Sequence, residues 1–174
     1  MWPTRTLATT RVMTLKERWC DSPTNSKKAG HYVYLDASDW CNVVAVTKDR
    51  HVVLIEQFRH GLGEVTLEFP GGIVEPGEDA AKAGERELVE ETGYSGKNQG
   101  IIGTVSSNPA IFNNHVHSVL VTDCELNHKQ ELDGNEEIAV RLMPLHEIDG
   151  LIQRGHIHHA LVVCAWMHAK LRGV

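Results

Sequence analysis

The hydrophobic pattern of this chain has two periods. Val43–Thr47 (VVAVT) and Val52–Phe58 (VVLIEQF) are β-branched apolar runs separated only by Lys48-Asp49-Arg50-His51, and they predict a hairpin closed by a four-residue turn. Val65–Phe69 reads as a short strand that stops at Pro70-Gly71-Gly72. The period then changes. Ala80/Ala81, Gly84 and Leu88 recur at three- and four-residue steps, which predicts a helix from Glu78 to Thr92 with Gly93 as its stop. Gln99–Val105, Val116–Asp123 and Ile138–Met143 read as further strands, and His146–Gln153 and Ile157–Leu171 as helices. Near the front, Arg11–Trp19 and His31–Asp36 read as two strands around the polar stretch Asp21–Gly30. Strands and helices are interspersed, and adjacent hairpins exclude an all-parallel sheet. The expected fold class is α/β, a mixed sheet covered by helices.

Composition narrows this to one globular domain spanning residues 1–174, with residues 1–40 supplying N-terminal strands. Hydrophobic residues make up 41% and charged residues 23%, which is neither disordered nor fibrous. No apolar run approaches the ~18 residues that would span a membrane, and Met1 to Thr10 lacks the apolar core of a secretory signal. Cys20, Cys41, Cys124 and Cys164 are widely spaced with no C-x-x-C pair. They read as reduced thiols of a cytoplasmic protein. The formal net charge of −6 makes nucleic acid an unfavourable partner, because that binding rests on basic surface.

The densest chemistry lies in the first long helix. Glu87, Glu90 and Glu91 stand at i, i+3 and i+4 and so share one face. Like charges this close repel unless a cation neutralises them, and an all-oxygen donor set selects hard divalent ions, Mg²⁺ first and Mn²⁺ as the alternative. Arg86 and Glu90 are also at i, i+4 and are expected to pair. Glu78 falls at the helix start, where exposed N–H groups favour a carboxylate. Taken alone, three glutamates on a helix are an ordinary solvated face. What changes the reading is the spacing around them: Gly72, five residues, Glu78, seven residues, Arg86-Glu87-Leu88, one residue, Glu90-Glu91, one residue, Gly93 and the apolar Tyr94.

That spacing resembles the Nudix box of the Nudix hydrolases from end to end. The resemblance implies a Nudix-type α/β/α sandwich and a divalent-cation-dependent hydrolysis of a nucleoside diphosphate linked to another group. It implies that Glu87, Glu90 and Glu91 ligate metal at the catalytic centre, that Gly72 offers its backbone carbonyl, and that Glu78, with Arg86, supports the site. Glu56-Gln57-Phe58-Arg59, the lead-in Leu67–Gly72 and the C-terminal helix after Gly155 are similar to the ADP-ribose pyrophosphatase branch. That likeness implies a substrate contact for Arg59, a contact of Glu68 with substrate or a metal-bound water, and a homodimer built partly from the N-terminal strands.

In the same branch a catalytic glutamate sits on a loop between late strands. Here Glu131–Glu137 precedes the strand beginning at Ile138, which makes Glu136 the expected general base and Glu137 the runner-up. Pro109 stands where the branch carries a substrate-binding Ser-Pro-Gly, but between Asn108 and Ala110, so the base-and-sugar pocket is expected to differ. His115 and His117, and His156, His158 and His159, have no zinc-type ligand spacing in sequence and read as solvated or capping residues. The rival readings are a non-catalytic nucleotide-sensing module on the same scaffold, or hydrolysis of dinucleoside polyphosphates, coenzymes or capped RNA.

Overall fold

The computed structural model describes residues 3–22, 24–25, 28–132, 134 and 136–174. Parts of the expected 21–30 and 131–137 loops (Pro23, Ser26, Lys27, Asp133 and Asn135) lie outside the described residues. The described chain forms nine strands in two sheets. β1 (Thr4–Thr9), β2 (Met13–Cys20) and β3 (Gly30–Ala37) make an antiparallel three-stranded sheet. The second sheet contains β4 (Trp40–Thr47), β5 (His51–Arg59), β6 (Glu64–Glu68), β7 (Tyr94–Ser106), β8 (His115–Leu126) and β9 (Ile138–Pro144). Its order is β6-β5-β4-β8-β7, with β9 also pairing β5. β4 and β8 run parallel and the other pairs antiparallel, so the sheet is mixed as expected.

The apolar runs are explained by burial on both sheet faces. A strand alternates its side chains, and β4 sends Cys41, Val43 and Ala45 to one core cluster and Val44 and Val46 to another. The first cluster packs under α1 (Ala80–Thr92) through Ala83 and Leu88. The second packs under α2 (Ile148–Gln153) and α3 (Ala160–Leu171), with Ile148, Leu151, Val162 and Trp166. Helices on both faces of the sheet give the α/β/α sandwich. Leu88 is 1% exposed, and Leu88→Ala is expected to cost about 2–5 kcal/mol by leaving a cavity. Urea unfolding should then show a lower midpoint at unchanged slope.

Several boundaries differ from the sequence pattern for identifiable reasons. β1 is exposed along all six residues, so it carries no buried face and no apolar period to detect. β7 begins at Tyr94 rather than Gln99, because Ser95-Gly96-Lys97-Asn98 looks like a turn yet pairs with β8 through register shifts. β5 begins at His51, whose N–H donates to Thr47 Oγ1, and leaves a three-residue turn in which Arg50 is left-handed (φ 61). The penultimate helical stretch opens with a 3₁₀ turn, Leu145–Glu147. The last helix starts at Ala160: Ile157 is buried and donates its N–H back to Leu151 O instead of entering the helix.

Candidate active site

The carboxylate helix is fixed at both ends. Asp79, not Glu78, is its N-cap, accepting from the N–H groups of Ala81 and Lys82 at 3.0 and 3.1 Å. Gly93 closes the other end in the left-handed conformation at φ 74, which a side-chain-bearing residue adopts at a cost. Released from capping, Glu78 accepts from the Glu75 N–H at 3.0 Å and takes both ends of the Arg86 fork, at 3.0 and 3.1 Å. Arg86 is therefore more than the expected partner of Glu90. Its Nη1 donates to Glu87 Oε1 at 2.9 Å and to Glu90 Oε2 at 3.0 Å, and its Nη2 also reaches Ile73 O at 3.1 Å. One guanidinium thus offsets the repulsion among three carboxylates.

Glu91, on the same cavity wall, is 4% exposed. It accepts the Gly71 N–H at 2.8 Å. Burial pushes its carboxyl up to about 8; the Gly71 bond opposes this, and the nearby Glu87 and Glu136 charges reinforce it. Glu87 is raised as well, first by burial and then by Glu90 and Glu136 against the opposing Arg86. Its carboxylate lies so close to Gly72 that a Cβ at that position would collide with it. The Gly72 carbonyl accepts the Cys41 N–H at 2.9 Å and, at 3.7 Å, the Cys41 thiol; the long thiol bond is the weak one and the one a stronger partner would displace.

Half-desolvated carboxylates short of positive charge, beside a carbonyl whose second contact is only a long thiol bond, fit a hard divalent cation. Among the described residues no three His, Cys, Asp or Glu side chains already converge as a cage, because Glu87 and Glu90 point to Arg86.

These groups open on a cavity of about 710 Å³ whose wall includes Arg59, Gly72, Glu87, Glu90, Glu91 and Glu136. Six carboxylates line it (Glu75, Glu87, Glu90, Glu91, Glu131, Glu136) against three guanidinium groups (Arg11, Arg59, Arg86). Glu68 is not on the wall. It is 1% exposed and lies behind Arg59, accepting Nε and Nη2 at 2.8 Å each. Thr66, on the same face of β6 two residues earlier, also donates to it. Pro109 sits in an exposed turn before β8 and Glu137 is exposed beside β9; neither lines the cavity. His115 and His117 gather on Asp39, with nitrogens 3.9 and 3.3 Å from its carboxylate.

The NUDIX domain family profile matches residues 40–165, most of the chain. The chain belongs to the Nudix family. The ADP-ribose pyrophosphatase of Bacillus subtilis (strain 168) is 30% identical over 131 residues, 75% of this chain and 71% of that one. The ADP-sugar pyrophosphatase of Mus musculus is 44% identical over 71 residues, 41% of this chain and 33% of that one. A crystal structure of an ADP compounds hydrolase superposes with a TM-score of 0.81 at 22% identity, covering 98% of this chain and 92% of that one; this is a likeness of fold.

As a Nudix hydrolase, the chain keeps every acidic position of its box on α1 or at its threshold. The cavity also contains groups that the sequence did not single out. Arg11 and Val12 enter from the β1–β2 turn, Trp40 from the start of β4, and Glu131 from the segment after β8. Gln57, two residues before Arg59, had a local signal; Arg11 had none, because only the docking of the N-terminal sheet brings it to the site.

Proposed function

We propose that this Nudix hydrolase cleaves the diphosphate of ADP-ribose or a related nucleoside diphosphate sugar, releasing a nucleoside monophosphate and a sugar phosphate, with Mg²⁺ as the cation and Mn²⁺ as a substitute. The observation that carries this reading is the cavity wall of six carboxylates and three guanidinium groups built on the Nudix box. A wall with that excess of negative charge repels a diphosphate unless hard cations stand between them. The names of the Bacillus subtilis and Mus musculus relatives support the substrate class.

Glu87, Glu90, Glu91 and the Gly72 carbonyl would hold the cation, while Arg86 stays anchored on Glu78 and Ile73 O. When bound, such a cation supplies Lewis acidity at a phosphoryl oxygen and an acidified water. Arg59, aimed by Glu68, offers fixed positive charge to the diphosphate from the cavity wall. Glu136, which lines the cavity, would take the proton of the attacking water; Glu137, the runner-up, lies off the wall.

The test is a panel of ADP-ribose, other nucleoside diphosphate sugars, dinucleoside polyphosphates, coenzymes and capped RNA, scored for released phosphate monoesters. AMP and ribose 5-phosphate from ADP-ribose are expected, and a chelator should stop their formation. Calorimetric binding of ADP-ribose with no product would overturn the reading in favour of a nucleotide sensor.

The four unpaired cysteines support a reducing, cytoplasmic setting. No helix among the described residues is long and apolar enough to cross a membrane. A homodimer through the N-terminal sheet is supported by the exposed edge strand β1 and by exposed Trp19, Tyr32 and Val33. Light scattering should give twice the 19.4 kDa chain mass; a monomer mass would overturn the dimer.

A further inference from the structure

The last four carbonyls of a helix have no partner inside it, and in α1 one short segment supplies several of the missing donors. Gly93 N–H closes on Val89 O at 2.8 Å. The next donors come from the stretch that leaves β8. Glu131 N–H donates to Glu90 O at 2.8 Å, and Gln130 Nε2 donates to Glu91 O at 2.6 Å. Asn127 and His128 N–H both reach Gly93 O, at 3.1 and 3.0 Å. The stretch that caps the carboxylate helix therefore runs directly into the loop that carries Glu136.

Gln130 does one thing more. Its Nε2 also donates to Ile138 O at 3.4 Å. Ile138 opens β9, is 8% exposed and pairs with Gln57 of β5, so it is a fixed point of the sheet. An amide nitrogen carries two protons, and here one serves the helix end and the other the strand start. The two ends of the loop are thereby held to the helix: Glu131 through its own N–H, and Ile138 through the Gln130 side chain. Glu136 lies two residues before Ile138 and projects into the same cavity as Glu87 and Glu91.

We propose that Gln130 is a positioning residue, a strap that fixes the Glu136 loop at a set distance from the metal-binding face of α1. The inference rests on the reading of Glu136 as general base. Gln130 itself does not line the cavity; it acts through the backbone carbonyls of Glu91 and Ile138. Both of those are acceptors, so only a side chain with two protons to give bridges them.

The test uses the full chain with Mg²⁺ and ADP-ribose. Gln130→Met keeps length and neutrality and removes the donors. It is expected to lower kcat about 10–100-fold, the usual cost of loosening a group that orients a catalytic one, with KM for ADP-ribose changed less than about 3-fold. Gln130→Lys, which restores donors to both carbonyls, should recover most of the loss. The decisive readout is the double variant. With Glu136→Gln in place there is no base left to position, so adding Gln130→Met should change kcat less than about 2-fold. A purely structural role would instead subtract the same factor in both backgrounds, and that result overturns the proposal, as does wild-type kcat in Gln130→Met. Wild-type turnover in Glu136→Gln alone overturns the base assignment and the strap with it, so the two failures are told apart.

Discussion

Glu91→Gln should cost turnover a factor of about 10²–10⁴, the several kcal/mol that a correctly held metal contributes to the transition state, and should make the metal-free protein more stable. The second half follows from the carboxyl being pushed up to about 8 from the usual 4.5, first by burial and then by Glu87 and Glu136. A carboxyl with a raised folded pKa binds its proton more tightly folded than unfolded. Its favourable contribution is complete below 4.5 and is lost as the pH rises towards 8. Each pKa unit is worth about 1.4 kcal/mol, so even part of this rise costs the ionised apoprotein on the order of 2 kcal/mol. Glutamine keeps an oxygen for the Gly71 N–H and carries no charge to desolvate. In a chelator, Glu91→Gln should melt about 5 °C above the wild type at pH 8–9 and level with it at pH 4. Adding Mg²⁺ should raise the wild-type Tm and leave the variant's unchanged. A variant that melts lower than wild type in chelator at pH 8–9 would show that Glu91 is satisfied without a cation.

What was legible in the sequence was what is local. Gly72 to Tyr94 is a single strand-exit, loop and helix, so the shared face of Glu87, Glu90 and Glu91 follows from helical period alone, and so does the Arg86–Glu90 pair. The sheet strands were legible where both faces are buried, as in β4 and β5. One miss was local: Glu78 stands at the edge of the period and was placed at the helix start, but the adjacent Asp79 has the shorter carboxylate that folds onto N–H groups two and three residues ahead. The other failures came where a contact crosses the chain. The histidine pair His115 and His117 looked uncommitted because Asp39 is 76 and 78 residues away in sequence. Arg11 joins the cavity only once the two sheets meet, through bonds such as Leu35 N–H to Ile111 O at 2.7 Å, and Trp40 joins it through its bridge to Ile73. The role of Glu68 was open because its neighbours in sequence say strand end: in the hairpin register Glu68 faces Ile55 and Arg59 faces Glu64, and only the Arg59 side chain, reaching along the hairpin, brings its fork onto Glu68.

That pair supplies the second large effect. Glu68→Gln is expected to destabilise the protein by about 2–4 kcal/mol, the range for removing one member of a desolvated ion pair when the other is still partly hydrated. It should also lower kcat/KM about 100-fold, because Arg59 loses the partner that aims it. Glutamine is nearly isosteric, but it places an NH₂ or a single oxygen where two oxygens accept Arg59 at 2.8 Å and one accepts Thr66. Burial alone would push the Glu68 carboxyl up; the bonds from Arg59 and Thr66 and the Arg59 charge outweigh it, so it rests below the usual 4.5. A depressed carboxyl stabilises above its unfolded pKa and loses that contribution as the pH falls through its folded value. The wild-type and variant stabilities should therefore differ fully at pH 7 and converge in acid, a trend opposite in sign to that of Glu91. If Glu68 touches substrate itself, Glu68→Gln will lower kcat/KM by the same factor in an Arg59→Met background. If it acts by aiming Arg59, the second change will add almost nothing.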